Sequence, residues 1–142
     1  MFKKYSILFL FSGFSTLMAY NLVVTTKGLH SHKGVVQFSL YNKEGTIPDK
    51  KLNLYYKMKR VTIGKDGVAK VTFKNLPEGR YAVSVFHDEN DNGTIDKGYF
   101  MPEEGVGLSN FESINFLNLP DFKSASFELH KDMVKQIKMI YL

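Results

Sequence analysis

The sequence predicts an all-β fold: an antiparallel Greek-key β-sandwich of about seven or eight strands with one long polar loop region. Apolar and polar residues alternate with period two in run after run, the mark of strands with one face in a core. Turn residues such as Asp66-Gly67 punctuate those runs at short intervals. Beyond the N-terminal segment no stretch carries a helical stripe. Many short strands with frequent turns indicate two packed sheets.

The 142 residues suit one domain. They begin MFKKYSILFLFSGFSTLMAYN, where Lys3 and Lys4 precede an apolar run from Tyr5 to Met18. This arrangement predicts a signal peptide over residues 1–19, cleaved after Ala19, and one domain over residues 20–142. Spanning a bilayer takes about 20 apolar residues, and Ser6, Ser12, Gly13, Ser15 and Thr16 dilute this shorter run. No stable membrane anchor is therefore expected after cleavage, and the chain is expected in the periplasm or outside the cell. The formal charge of +5 falls to near +3 without Lys3 and Lys4. Lys57, Lys59 and Arg60, beside Tyr55 and Tyr56, make the densest basic patch. Lysines alternating with apolar residues read as the wet face of a strand, so no nucleic-acid partner is expected. The absence of cysteine excludes a thiol nucleophile, a zinc–thiolate site and a lipid-modified cysteine.

In GVVQFSLYN, Val36, Phe38 and Leu40 share one face, and Val35, Gln37, Ser39 and Tyr41 the other. KEGTIPDK is a turn, and LNLYYKMK predicts a strand with Leu52, Leu54, Tyr56 and Met58 together. Asp66-Gly67 predicts a hairpin, because Gly tolerates the positive φ such turns need; Ala69, Val71 and Phe73 then share a face. After KNLPEGRY the pattern resumes, with Tyr81, Val83, Val85 and His87 opposed to Ala82, Ser84, Phe86 and Asp88. Ala125, Phe127 and Leu129, then Ile137, Met139 and Tyr141, close the series. Thr94 to Lys123 lacks alternation and holds Pro102, Gly105, Gly107 and Pro120. A loop that long in a small domain is expected to be functional, forming one surface feature at one end of the sheets.

The segment DGVAKVTFKNLPEGRYAVSVFHDENDNGTID, followed by YFMPEEGVGLSN and PDFKSASFEL, resembles the DUF2141 family of exported bacterial proteins of unknown function, from about Leu22 to Leu142. His87, Asp88, Glu89, Asn90, Asn92 and Gly93 match its first motif. Pro102, Glu104, Gly107, Ser109 and Asn110 match its second, and Pro120, Phe122, Ala125 and Phe127 its third. Leu108 stands where an aromatic residue is expected. NLPEGRYAVSV is also similar to the corner of prealbumin-like Greek-key sandwiches. The resemblance implies a fold and no catalytic residue.

The run HDENDNGTID, residues 87–96, is a candidate calcium site. EF-hand-type loops space oxygen ligands at positions 1, 3, 5, 7 and 9 with Gly at 6. With Asp88 at position 1, Asn90, Asn92, the Thr94 carbonyl and Asp96 follow at 3, 5, 7 and 9, and Gly93 falls at 6. Tyr99 at position 12 cannot supply a carboxylate, so Glu103 or Glu104 must close the shell; Glu104 is preferred because it lies in the second motif. Asp88, Glu89, Asp91 and Asp96 meet no Lys or Arg before Lys97, and a divalent cation would relieve their repulsion. The alternative is a metal-free turn, since Asx side chains bind their own backbone and Asn-Gly is a favoured corner. His87 with Asp88 or Glu104 would suit a small periplasmic hydrolase. Strand alternation points instead to a buried imidazole bonded to a loop carbonyl. No nucleophile elbow, phosphate loop or metalloprotease helix is present, and His30 and His32 read as a solvated turn. The function expected is therefore that of a binding or structural module of the cell envelope with a calcium-stabilised loop. Its partner would be an envelope protein or glycan.

Overall fold

Alternation along the chain becomes alternation in space in eight strands among the described residues, which are residue 13 and residues 17–95 and 104–141 of a computed structural model. Nearly all of the expected signal peptide lies outside them. The strands are β1 (Ala19–Lys27), β2 (Val35–Tyr41), β3 (Lys57–Val61), β4 (Lys70–Pro77), β5 (Gly79–Asp88), β6 (Val106–Leu108), β7 (Phe127–Leu129) and β8 (Met133–Lys138), with a one-turn helix α1 (Phe122–Ala125) before β7. One sheet has the order β4-β1-β8 and the other β3-β2-β5-β6, with β7 also pairing β5. The fold is a β-sandwich. The pairs are antiparallel except β1 with β8, which run parallel. The chain reaches β8 from β7, which pairs in the other sheet, so no hairpin with β1 sets its direction.

The inner faces meet as expected. Val36, Phe38 and Leu40 of β2 and Tyr81, Val83 and Val85 of β5 pack on Leu22, Val24, Val71 and Phe73 of the facing sheet, with Phe127, Leu129, Ile137 and Met139 completing the core. Each such side chain contributes roughly 1.5–3 kcal/mol through removal from water. The outer face of the second sheet is buried as well, contrary to the half-buried strands expected from polar Gln37, Ser39 and Ser84. Tyr41 and Ala82 there pack with Ile47, Leu108, Phe122, Ala125 and Phe111. The described part of the Thr94–Lys123 region therefore covers a sheet face, with β6 and Phe122 of α1 in it. Ser109 fastens this cover: its N–H donates to the Val83 carbonyl (2.9 Å), its Oγ accepts from the Val83 N–H (3.0 Å) and donates to the Ala125 carbonyl (2.6 Å).

Two local expectations are corrected. Leu52–Tyr56 is loop, with β3 starting only at Lys57. Asp49 is the cause: its carboxylate accepts the N–H groups of Asn53 (3.1 Å) and Leu54 (2.8 Å) and the Tyr41 hydroxyl (3.0 Å), taking donors a strand would use. Asp66-Gly67 does turn the chain, through bonds from the Gly64 N–H to the Val68 carbonyl and from the Gly67 N–H to the Gly64 carbonyl. It joins no hairpin, because β3 and β4 belong to different sheets.

Gly34, at φ +68°, lets the turn before β2 lie against the end of β5; a Cβ there would sit 2.0 Å from the Asp88 carbonyl oxygen. Gly45, at φ +78°, faces open space. Gly45→Ala should therefore cost only the left-handed backbone penalty of about 1–2 kcal/mol. Gly34→Ala must also displace backbone and should cost about 3 kcal/mol or more. Equal urea midpoints for the two variants would contradict the close packing of these turns.

Candidate functional site

Asp88 ends β5 opposite Val35 and points to the outer face, while Arg60 of β3 lies opposite Gln37. This register lets the arginine reach across β2 to the turn. Its Nη1 donates to Gln37 Oε1 (3.1 Å) and its Nη2 to Asp88 Oδ2 (2.7 Å) and Asp91 Oδ1 (2.8 Å). The Asp88 carboxylate, fully buried, also accepts from the N–H groups of Asn92 (3.1 Å) and Gly93 (2.8 Å). Asn90 Oδ1 accepts from the Asn92 N–H, and Asn92 Oδ1 from the N–H and hydroxyl of Thr94. Buried Glu104 returns to the turn, its Oε1 accepting from the Glu89 N–H at 3.1 Å.

The structure thus brings together Asp88, Asn90, Asn92, Thr94 and Glu104, five of the six residues proposed for calcium; Asp96 lies outside the described residues. It also brings a cation that local sequence does not reveal, since Arg60 sits between Asp88 and Asp91. The acidic run is compensated in part from a distant strand. Among the described residues no group of three or more His, Asp or Glu side chains is placed to hold a metal ion. Burial alone would raise the Asp88 carboxyl. The Arg60 guanidinium and the N–H groups of Gly93 and Asn92 outweigh burial and hold it below the usual carboxylate range.

His87 points the other way, into the inner core, and is fully buried. Its Nε2 lies 2.8 Å from the Lys33 carbonyl and its Nδ1 2.7 Å from the Tyr141 hydroxyl. A carbonyl only accepts, so Nε2 carries the hydrogen; Nδ1 faces the Tyr141 hydroxyl and, at 3.7 Å, Glu89 Oε1. The tyrosine oxygen also accepts from the His30 N–H (3.1 Å), and the His30 ring stacks on the Tyr141 ring with centroids 3.5 Å apart. Burial pushes the Tyr141 phenol up. His87 is a clasp for the C-terminal segment. It opens to no cleft, and β5 separates it from the Asp88 carboxylate. Arg60 and Tyr141 escape sequence reasoning. One signal was available for Arg60: it is one of two arginines in a lysine-rich sequence, and guanidinium is the cation suited to buried carboxylates.

Beside the turn, on the same outer face, lies a cleft of about 200 Å³ lined chiefly by Tyr41, Ile47, Leu52, Phe86, Val106, Leu108 and Ile114, with Ser84, Asp49 and Lys50 as polar points. No helix of the described residues is long and apolar enough to cross a membrane.

Asp88 is fully buried and Arg60 half-buried, so removing the guanidinium leaves the carboxylate with only its two backbone donors. Arg60→Met should cost about 3 kcal/mol in urea denaturation, and the Arg60→Met/Asp88→Asn double variant should lose less than the two singles added together. The depressed Asp88 carboxyl gives stability that is present above its unfolded value of about 3.9 and lost as pH falls through the folded value. Acid titrations of stability should show this loss below about pH 4 in the native protein and a shallower slope in Asp88→Asn. Additive singles, or identical slopes, would remove the pair from its structural role.

No curated protein and no solved structure matches the chain at a significant level. A family match covers residues 24–138, which include the buried pair, the acidic turn, His87 and the outer-face cover. By that match the chain belongs to the family described as "Uncharacterized protein conserved in bacteria (DUF2141)".

Proposed function

We propose that this protein is an exported, non-catalytic binding module of the cell envelope, with the outer-face cleft as its ligand site and the HDENDNG turn as its structural clamp. The observation that carries this is the cleft itself: an apolar recess with few polar points beside a turn whose polar groups are paired within the protein. Such a recess suits the apolar side chain of an envelope protein better than a glycan, which needs a denser set of hydrogen-bonding groups. Lys3, Lys4 and the apolar run after them support export. Cleavage after Ala19 would leave Tyr20 at the head of β1 with the ladder from Leu22 onward intact.

Calcium is the second reading of the turn, favoured by one observation: Glu104 folds back onto it, as a closing ligand would. The residues fit in type and spacing, with Arg60 as the competing cation. Extracellular calcium modules bind with dissociation constants near 0.1–1 mM. At about 1 mM calcium the tighter limit gives roughly 1.4 kcal/mol, a rise of about 4–7 °C in melting temperature. On the clamp reading, chelation leaves the melting temperature unchanged and calorimetry shows no calcium heat. A shift of that size, abolished in Asp88→Ala, establishes the ion instead.

For the binding reading, Ile114→Lys at the half-buried cleft wall should abolish cross-linked capture of an envelope partner while leaving the melting temperature within about 2 °C of native. Unchanged capture would move the site elsewhere. Turnover of glycosides, esters or peptides that His87→Gln abolishes with the fold intact would favour the hydrolase.

A further inference from the structure

We infer that the side of the sandwich between β3 and β4 is a binding site for an acidic sugar chain, one whose pyranose rings carry carboxylates. Both strands end their sheets, so each leaves a row of backbone N–H and C=O groups without a strand partner. The register sets Lys57 opposite Leu40 and Lys59 opposite Phe38. Two lysines therefore stand on the core-facing side of β3, where alternation calls for apolar residues. Lys59 Nζ donates to the Thr72 carbonyl of β4 (2.6 Å) and lies 5.8 Å from the centre of the Phe73 ring, and Lys57 Nζ lies 5.6 Å from that of Tyr56. The result is a recess of about 490 Å³ walled chiefly by Tyr55, Tyr56, Lys57, Lys59, Phe73 and Lys74. It shares no residue with the outer-face cleft, and the inference goes beyond that reading. Inward lysines also keep an edge strand from pairing with another chain, but that duty asks for neither a recess nor aromatic walls.

Charge and surface chemistry select the ligand. From Leu52 to Pro77 six Lys or Arg meet one acid, Asp66. Asp66 accepts the Val68 N–H (3.1 Å) in the turn between the strands, and Asp49, before the stretch, is taken by the Asn53, Leu54 and Tyr41 donors. Glu78, after it, lines a separate hollow with Arg80. Among the described residues no carboxylate pairs with Lys57, Lys59 or Lys74. The ligand is therefore an anion. Tyr55 and Tyr56, 37 and 43 % exposed, add flat apolar faces that end in hydroxyls. A sugar ring answers both features, with a C–H face for the tyrosines and hydroxyls for the phenols, the ammonium groups and the edge backbones. That dense polar set is what the outer-face cleft lacks. A polynucleotide is tracked by a row of cations along its backbone, on the order of 6–10 phosphate contacts, and three lysines gathered in one hollow make no such row. A bilayer surface is too flat to enter it.

Titration calorimetry of the full chain against a hexamer of galacturonic acid, without divalent ions, tests this. The hexamer should bind at least about tenfold more tightly than a neutral glucose hexamer or hexaglutamate, which carries the charge without the rings. Lys57→Gln/Lys74→Gln should weaken binding about tenfold or more, and Tyr56→Ala about fivefold or more, with the melting temperature within about 2 °C of native. Both lysines are exposed, so the fold should survive their loss. Ile114→Lys, which tests the cleft, should leave saccharide binding unchanged, so the two readings fail separately. No binding at millimolar hexamer overturns the proposal and leaves the lysines as guards of an edge strand. Equal affinity for hexaglutamate, or tighter binding of a single-stranded hexanucleotide, overturns it too, since charge alone or a polynucleotide would then account for the recess.

Discussion

Burying both faces of β5 obliges two different sets of elements to cover it, and much of the structure follows from that demand. On the inner face Tyr81, Val83 and Val85 meet the β4-β1-β8 sheet. On the outer face Ala82 is closed over by Ile47, Leu108 and Phe122, which come from the connections after β2 and β5. β5 also pairs with β2, β6 and β7. A strand so enclosed must place every backbone and side-chain polar group in a partner's reach.

The end of β5 shows how that is done. His87 and Asp88 are consecutive, fully buried and on opposite faces. Each is satisfied by a residue distant in sequence: Tyr141 on one side, Arg60 on the other. One pair fastens the C-terminal segment, where Ile140 also bridges to Val106 of β6, and the other fastens edge strand β3. In a chain without disulfides these two contacts tie the edges of the sandwich to its central strand. Their polar character fixes register more strictly than apolar packing would, since a shift of one residue would exchange the faces of His87 and Asp88.

Legibility in the sequence follows the same division. The inner stripe, Val36, Phe38, Leu40, Tyr81, Val83 and Val85, is plain because alternation reports directly on a face that meets only apolar neighbours. The turn is legible because Asx and Gly chemistry is local, and Glu104 is placed beside it by its motif. The outer face misleads, because Gln37, Ser39 and Ser84 look solvated: Gln37 and Ser39 satisfy one another, and Arg60 completes the row (Gln37 Nε2 to Ser39 Oγ, 3.3 Å). The Leu52–Tyr56 strand misleads because period two cannot register that Asp49 has claimed the amides. Arg60 is hidden for a topological reason. Its contact with Asp88 exists only once β3, β2 and β5 are in register.

The clamp and the surface features call for opposite physical properties. Asp88, Arg60 and their backbone donors need a fixed, desolvated geometry, because a guanidinium held 2.7 Å from a buried carboxylate tolerates little motion before either charge is stranded. The cleft walls instead need side chains on connections whose sequence is free of the strand pattern. The fold separates the two demands. The clamp binds strands to one another across the sheet, while the cleft walls come largely from the segments laid over that sheet. The cover can then vary in sequence, provided that Ile47, Leu108 and Phe122 still seal the outer face. The turn that joins β5 to the cover is the place where the two properties meet, and its Asp88 and Asp91 carboxylates share one guanidinium supplied from within the sheet.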